Sequence, residues 1–150
     1  MIKYLIIFLA LLIVISVVGL IFLFKGKSDY EIVKIGINGK IFEAEVADTA
    51  LKRAKGLSGR KTLEENKAML FIFTRPSRYN FWMVDMNLPL DIVWINGNRV
   101  VDISKNVLPP KIGELPAVVS PSMAVDKVLE IPAGLAEKYD IKIGDEVVRK

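Results

Sequence analysis

Glu31-Ile-Val-Lys-Ile-Gly-Ile37, Asn38-Gly39 and Lys40-Ile-Phe-Glu-Ala-Glu-Val46 read as two alternating strands around a two-residue turn. Asn-Gly favours such a turn because both central residues need positive φ. Counting outward sets Ile35 against Phe42 and Val33 against Ala44 on one face, with Lys34 against Glu43 on the other. Register, burial and charge pairing therefore agree, and the stretch predicts a β-hairpin with one face in a core.

Upstream, Tyr4 to Phe24 are 21 residues without a charge, with Lys3 before them and Lys25 and Lys27 after. At about 1.5 Å rise per residue the run would be roughly 31 Å long as a helix, close to the roughly 30 Å core of a bilayer. A cleaved secretory signal has a shorter apolar core, about 7 to 15 residues, and a small-x-small cleavage step. Lys25-Gly26-Lys27-Ser28-Asp29 offers no such step, so an uncleaved transmembrane helix is expected. The positive charges on its two sides are balanced and do not fix orientation. A short tail before a long folded part resembles a signal-anchor, which places the following domain on the extracytoplasmic side of a cell membrane.

Downstream, Asp48-Thr49 can cap a short helix Ala50 to Lys55 that Gly56 ends, before the loop Leu57 to Lys61. Apolar and β-branched enrichment predicts strands at Ala68–Phe73, Asn80–Val84, Leu90–Ile95, Arg99–Ser104 and Val125–Ile131. A second short helix, Ala133 to Tyr139, follows Pro132, and a last strand follows Gly144-Asp145. The division is residues 1–27 as anchor and 28–150 as one domain. Its class is mainly β, a compact β-sandwich or partly open barrel with two short helices, behind one N-terminal transmembrane helix.

Composition excludes much chemistry. With no His and no Cys, the chain supplies no imidazole base, thiolate nucleophile, His/Cys zinc site or disulfide. No metal site and no cofactor is expected. The formal charge of +4 includes Lys3, Lys25 and Lys27, which leaves 18 basic against 17 acidic residues in 28–150. A nearly neutral domain lacks the basic footprint of a nucleic-acid binder. One local excess remains in residues 51–80: Lys52, Arg53, Lys55, Arg60, Lys61, Lys67, Arg75 and Arg78 against Glu64 and Glu65. It reads as a solvated face, or as a surface toward anionic headgroups. Gly56, Gly59, Arg60 and Lys61 could together cradle an anion, but they match no phosphate-loop pattern.

Gly56-Leu57 with Arg60 and Leu63, Met69-Leu-Phe-Ile-Phe73, Phe81-Trp82-Met83 with Pro89-Leu90-Asp91, and Val128-Leu-Glu-Ile131 with Ala133-Gly134 and Gly144-Asp145 form an ordered series. On these motifs, from about Val46 to Val148, the chain resembles the prokaryotic domain-of-unknown-function family 192. The resemblance implies a compact, mainly β domain behind an export or anchor segment, and no established activity. Asp85-Met86 stands where that family usually has an Asn-Thr pair, so a polar site formed by the pair would be altered here.

The stretch Phe81 to Asp91 is the best candidate site, because two aromatics, a Pro-defined bend and two carboxylates converge just after Arg78. Arg78, Trp82, Asp85, Asp91 and Asp102 are the residues nominated for binding a small molecule or protein. Aromatics in strands are more often packing, in which case Phe81 and Trp82 are core and Asp91 accepts internal hydrogen bonds. If Asn96-Gly97 forms a two-residue turn, Asp91 faces Asp102. Like charges so placed need a cation or a shared proton, unless an Asn96-Gly97-Asn98 turn moves Asp91 opposite Ile103.

Ser104 to Ser122 holds Pro109, Pro110, Pro116 and Pro121 and has no strand or helix period, which predicts a long, stiffened loop. The functional expectation is a single-pass membrane protein displaying a ligand-binding or protein-interaction module. The alternative is a carboxylate-dependent enzyme acting on an envelope component, with or without an assisting metal, using Asp85, Asp91 and Asp102.

Overall fold

The computed structural model describes residues 3, 4, 16 and 30–150. The expected transmembrane helix, residues 4–24, lies outside the described residues except for Tyr4 and Ser16; among the described residues no helix is long and apolar enough to cross a membrane.

Within residues 30–150, nine strands and two short helices follow one another as β1 (Ile32–Ile37), β2 (Lys40–Ala47), α1 (Ala50–Lys55), β3 (Lys67–Ser77), β4 (Phe81–Trp82), β5 (Leu90–Asn96), β6 (Arg99–Val107), β7 (Val118–Val119), β8 (Val125–Pro132), α2 (Leu135–Lys138) and β9 (Val147–Arg149). Seven strands form one mixed sheet in the order β6-β5-β8-β3-β2-β1-β9, and β4 pairs with β7 in a separate ribbon. Only β2 and β3 run parallel in the main sheet, joined across α1, as parallel neighbours require a crossover.

The β1–β2 hairpin has the register expected of its turn: Ile35 opposite Phe42, Val33 opposite Ala44 and Lys34 opposite Glu43. Asn38 and Gly39 both take positive φ. Helix α1 begins where Thr49 Oγ1 accepts the Lys52 N–H and ends at Gly56. The sheet curls until its edges meet: Val147 N–H donates to Asn98 O, Val100 N–H to Asp145 O, and Arg99 bridges Glu146. The result is a partly open barrel.

Its interior is filled from both halves of the sheet, by Phe42, Ala44, Leu70, Val93, Leu129 and Ile131 among others. A second apolar layer covers the outer face of the central strands and contains Met69, Phe71, Ile92, Trp94 and Val128. β5 is therefore buried on both faces, which is why Leu90 to Ile95 is an almost unbroken apolar run.

Several boundaries differ from expectation. The strand expected at Asn80–Val84 is only Phe81–Trp82, because Met83 already turns toward a Met86 N–H donated to its carbonyl. The second helix is confined to Leu135–Lys138, started by Gly134 in the left-handed region. Ser104 to Ser122 is not one loop: β6 continues through Val107, and Val118–Val119 pairs with Trp82 and Phe81.

The β5–β6 register also departs from both expected alternatives. Asn96 faces Arg99, so the turn is Gly97-Asn98; one irregularity then slips the pairing so that Asp102 lies opposite Trp94, and a second follows between Ile92 and Leu90. Asp91 and Asp102 do not face each other, and the like-charge problem does not arise.

Candidate functional site

Strand β8 alternates across the wall of the barrel. Leu129 and Ile131 enter the interior, while Val128 and Glu130 face the outer apolar layer. Glu130 pairs with Met69 on β3 and with Ile92 on β5. A carboxyl group thus stands between two apolar cross-strand neighbours, and its residue is 7% exposed.

The covering elements do not close over this row. The α1 segment through Ser58 lies on one side and the aromatic residues of β3 and β4 on the other, and a cavity of ≈ 200 Å³ remains between them. Phe71 and Phe81 meet edge-on with centroids 4.9 Å apart, and Phe81 is likewise edge-on to Trp94 at 5.3 Å. Phe73 and Tyr79 stack at 3.7 Å. Trp82, 63% exposed, stands at the rim with Ala54, Lys55 and Asn80. Gly56 brings its backbone close to the Phe71 ring, where any Cβ would meet Cζ at 3.3 Å.

Among the described residues Glu130 has no hydrogen-bond or ion-pair partner. Among the described residues no buried side-chain oxygen or nitrogen is sealed without a partner, so the Glu130 carboxyl group opens to the cavity that it lines. Burial alone pushes its pKa from the ordinary 4.5 up to about 8, because the apolar surroundings penalise the charged form. The group is therefore mostly a neutral acid at pH 7.

Two cations of α1 share the cavity wall. Arg53 uses Nη1 to donate to Asp48 O and Ile72 O at 2.7 and 2.9 Å, with its guanidinium over the Phe73 ring. Lys55 is exposed and makes no ion pair among the described residues. The hydroxyl of Tyr79 donates to Arg75 O.

The structure distributes the five nominated residues widely, and only Trp82 lines this cavity. Arg78 donates from Nε to Pro121 O at 2.9 Å and ties the chain to the proline-rich segment. Asp85 is exposed at positive φ, with its carbonyl accepting the Gly59 N–H. Asp91 is 1% exposed; Oδ1 accepts the Asn106 N–H and Oδ2 the Ala136 N–H, both at 2.8 Å. Asp102 caps its own strand neighbour Ile103 and accepts the Ser122 N–H. Partial burial acts to raise its pKa, but these donors outweigh that and hold it below the ordinary carboxylate value.

In a second cavity, beside Asp91, Lys105, Asn106 and Glu137, both Asp91 oxygens are occupied by backbone N–H groups and Glu137 is exposed. Among the described residues no cluster of three His, Cys, Asp or Glu is placed to hold a metal ion. The basic excess of residues 51–80 is partly neutralised: Arg60 grips Glu45 with two bonds, and Lys67 and Lys52 pair with Glu43 and Asp48. Glu130 escaped the sequence reading because a single carboxylate in Val128-Leu-Glu-Ile131 looks like the wet face of a strand. Its apolar partners come from distant segments.

The profile of the family DUF192, described as an uncharacterized ACR, matches residues 32–149. The UPF0127 protein TK1120 of Thermococcus kodakarensis is 30% identical over 112 residues, which span 71% of this chain and 66% of that relative's length. A solved protein of unknown function from Novosphingobium aromaticivorans is 32% identical with a TM-score of 0.74, over 81% of this chain and 87% of that one. A solved Sinorhizobium meliloti protein named as a candidate transcription regulator is 25% identical with the same TM-score of 0.74, over 83% and 98% of the respective chains.

Proposed function

The chain belongs to the DUF192 family of uncharacterised proteins, and from that premise we propose that it is a membrane-tethered domain that binds a small ligand in the cavity above Glu130. The observation that carries the reading is the Glu130 carboxyl, buried, unpartnered and open to an aromatic-walled space of ≈ 200 Å³. Leaving a polar group unmade inside a protein costs about 1–3 kcal/mol, so its retention is consistent with a partner that arrives from outside. Perturbed titratable groups in clefts are associated with functional sites.

The tether rests on the 21-residue uncharged run and its flanking lysines. A short N-terminal tail favours a domain on the extracytoplasmic side. The near-neutral charge of residues 28–150 favours a small ligand over nucleic acid.

An enzymatic reading would rest on Glu130 as a general acid. Asp91 and Asp102 are engaged with backbone N–H groups, and among the described residues the cavity wall holds no second carboxyl. Binding is therefore the better account. The test is a thermal-shift screen of the full chain in lipid nanodiscs beside Ala54→Trp, which fills the cavity from its exposed rim. A ligand at about 100 times its dissociation constant adds roughly 2.7 kcal/mol. Stabilisation of the wild type and none of Ala54→Trp is the expected outcome; equal stabilisation of both would place binding elsewhere.

A further inference from the structure

We infer that the cavity takes a small organic acid of about one ring, its apolar body against Phe71, Phe81 and Trp82, and its carboxylate served by the Glu130 carboxyl and by Arg53 and Lys55. This inference rests on the proposed binding role and names its ligand class. The size follows from the volume: about 150 Å³ of apolar cavity accommodates benzene, so ≈ 200 Å³ leaves room for one ring and a short polar group.

The charge inventory chooses among polar groups. Among the described residues, every charged or titratable side chain on the cavity wall is Arg53, Lys55, Tyr79 or Glu130, with none from the apolar faces of β3 and β5 beside Glu130. Tyr79 is a neutral phenol whose hydroxyl is already donating to Arg75 O. A ligand ammonium would meet two cations and one neutral acid. It would find the Phe73 faces taken, since Arg53 lies over that ring and Tyr79 stacks on it.

A carboxylate meets the opposite situation. Glu130 is mostly protonated at neutral pH and donates an O–H, and an acid-to-carboxylate hydrogen bond is charge-assisted and strong. The bound anion would hold that proton on Glu130 still more firmly. Affinity for the acid should fall as Glu130 ionises, about tenfold for each pH unit above its pKa.

The test is a ¹⁹F NMR titration of the full chain in lipid nanodiscs, with empty nanodiscs as the blank. The probes are fluorobenzoate, the protonated fluorobenzylamine and neutral fluorobenzene. Fluorobenzoate should bind wild type at least about tenfold more tightly than the other two at pH 6, and weaken about fivefold between pH 8 and 9. Glu130→Gln, which keeps a hydrogen-bond donor, should retain fluorobenzoate and lose the pH dependence, whereas Glu130→Leu should lose about tenfold in affinity.

Tighter binding of the ammonium probe, with affinity rising with pH, would overturn the acid assignment. Equal binding of fluorobenzene would do the same while leaving a ligand cavity in place. Binding of any probe unchanged in Ala54→Trp, or binding of none, would overturn the cavity reading itself and this inference with it.

Discussion

Gly56, at the end of α1, packs against Phe71 of β3: a Cβ on Gly56 would stand 3.3 Å from the tip of the ring. Gly56 also has φ 48 and ψ −135, outside the regions open to L-residues with side chains. Both constraints act at the mouth of the cavity, because Phe71 and Gly56 line it together. Gly56→Ala should cost on the order of 1–3 kcal/mol in urea denaturation of the full chain. Gly59 has positive φ but nothing within 4 Å of its built Cβ, so Gly59→Asn should cost well under about 1 kcal/mol. Equal costs at the two positions would refute the steric account.

Asp91 works as an internal brace. Its two oxygens hold the N–H of Asn106, at φ 51 in a slipped part of the β5–β6 ladder, and the N–H of Ala136 in α2. Asn at this position accepts through one oxygen only and turns an NH₂ toward the other donor. Asp91→Asn should destabilise the fold by about 2–4 kcal/mol. Hydrogen exchange should quicken at Asn106 and Ala136 before it does in the β1–β2 hairpin; uniform acceleration would deny the brace.

How far the sequence could be read depended on the distance over which each feature is determined. The hairpin was legible to the residue because Asn38-Gly39 sets its own register. The second hairpin was not, because Asn96-Gly97-Asn98 permits more than one turn and the slips near Val101 and Lys105 leave no local mark. Strand β3 was legible as an apolar run, yet its continuation through Thr74 to Ser77 was not. At the site, Trp82 stood out as an aromatic in a punctuated segment. Glu130 did not, since its character comes from Met69 and Ile92, far away in the chain.

Arg60 offers a test of the basic segment. Its guanidinium makes two parallel bonds to Glu45, at 2.8 and 2.6 Å, and both side chains are largely covered. That geometry belongs to Arg and not to Lys. Arg60→Lys should cost about 1 kcal/mol, and Glu45→Gln in the same background little more, since the pair is already weakened. Additive losses from the two changes in a double-mutant cycle would show that the two groups do not act as a pair.

Glu130 predicts an unusual pH dependence of stability. Its pKa is about 8 in the fold and near 4.5 in the unfolded chain, so below pH 4.5 both states carry the proton and no stability is lost. Between 4.5 and 8 the unfolded chain releases the proton while the fold retains it, and stability falls as pH rises. Above 8 both states are ionised and the contribution is flat. The full swing is on the order of 5 kcal/mol, at about 1.4 kcal/mol for each unit of pKa. Glu130→Gln removes the titration, so the variant should gain on wild type steadily from pH 5 to 8. Trp94, buried beside this layer, reports unfolding by its fluorescence. A stability difference between wild type and variant that does not change over that range would mean Glu130 ionises at an ordinary pH, and that water or another donor reaches it in the fold.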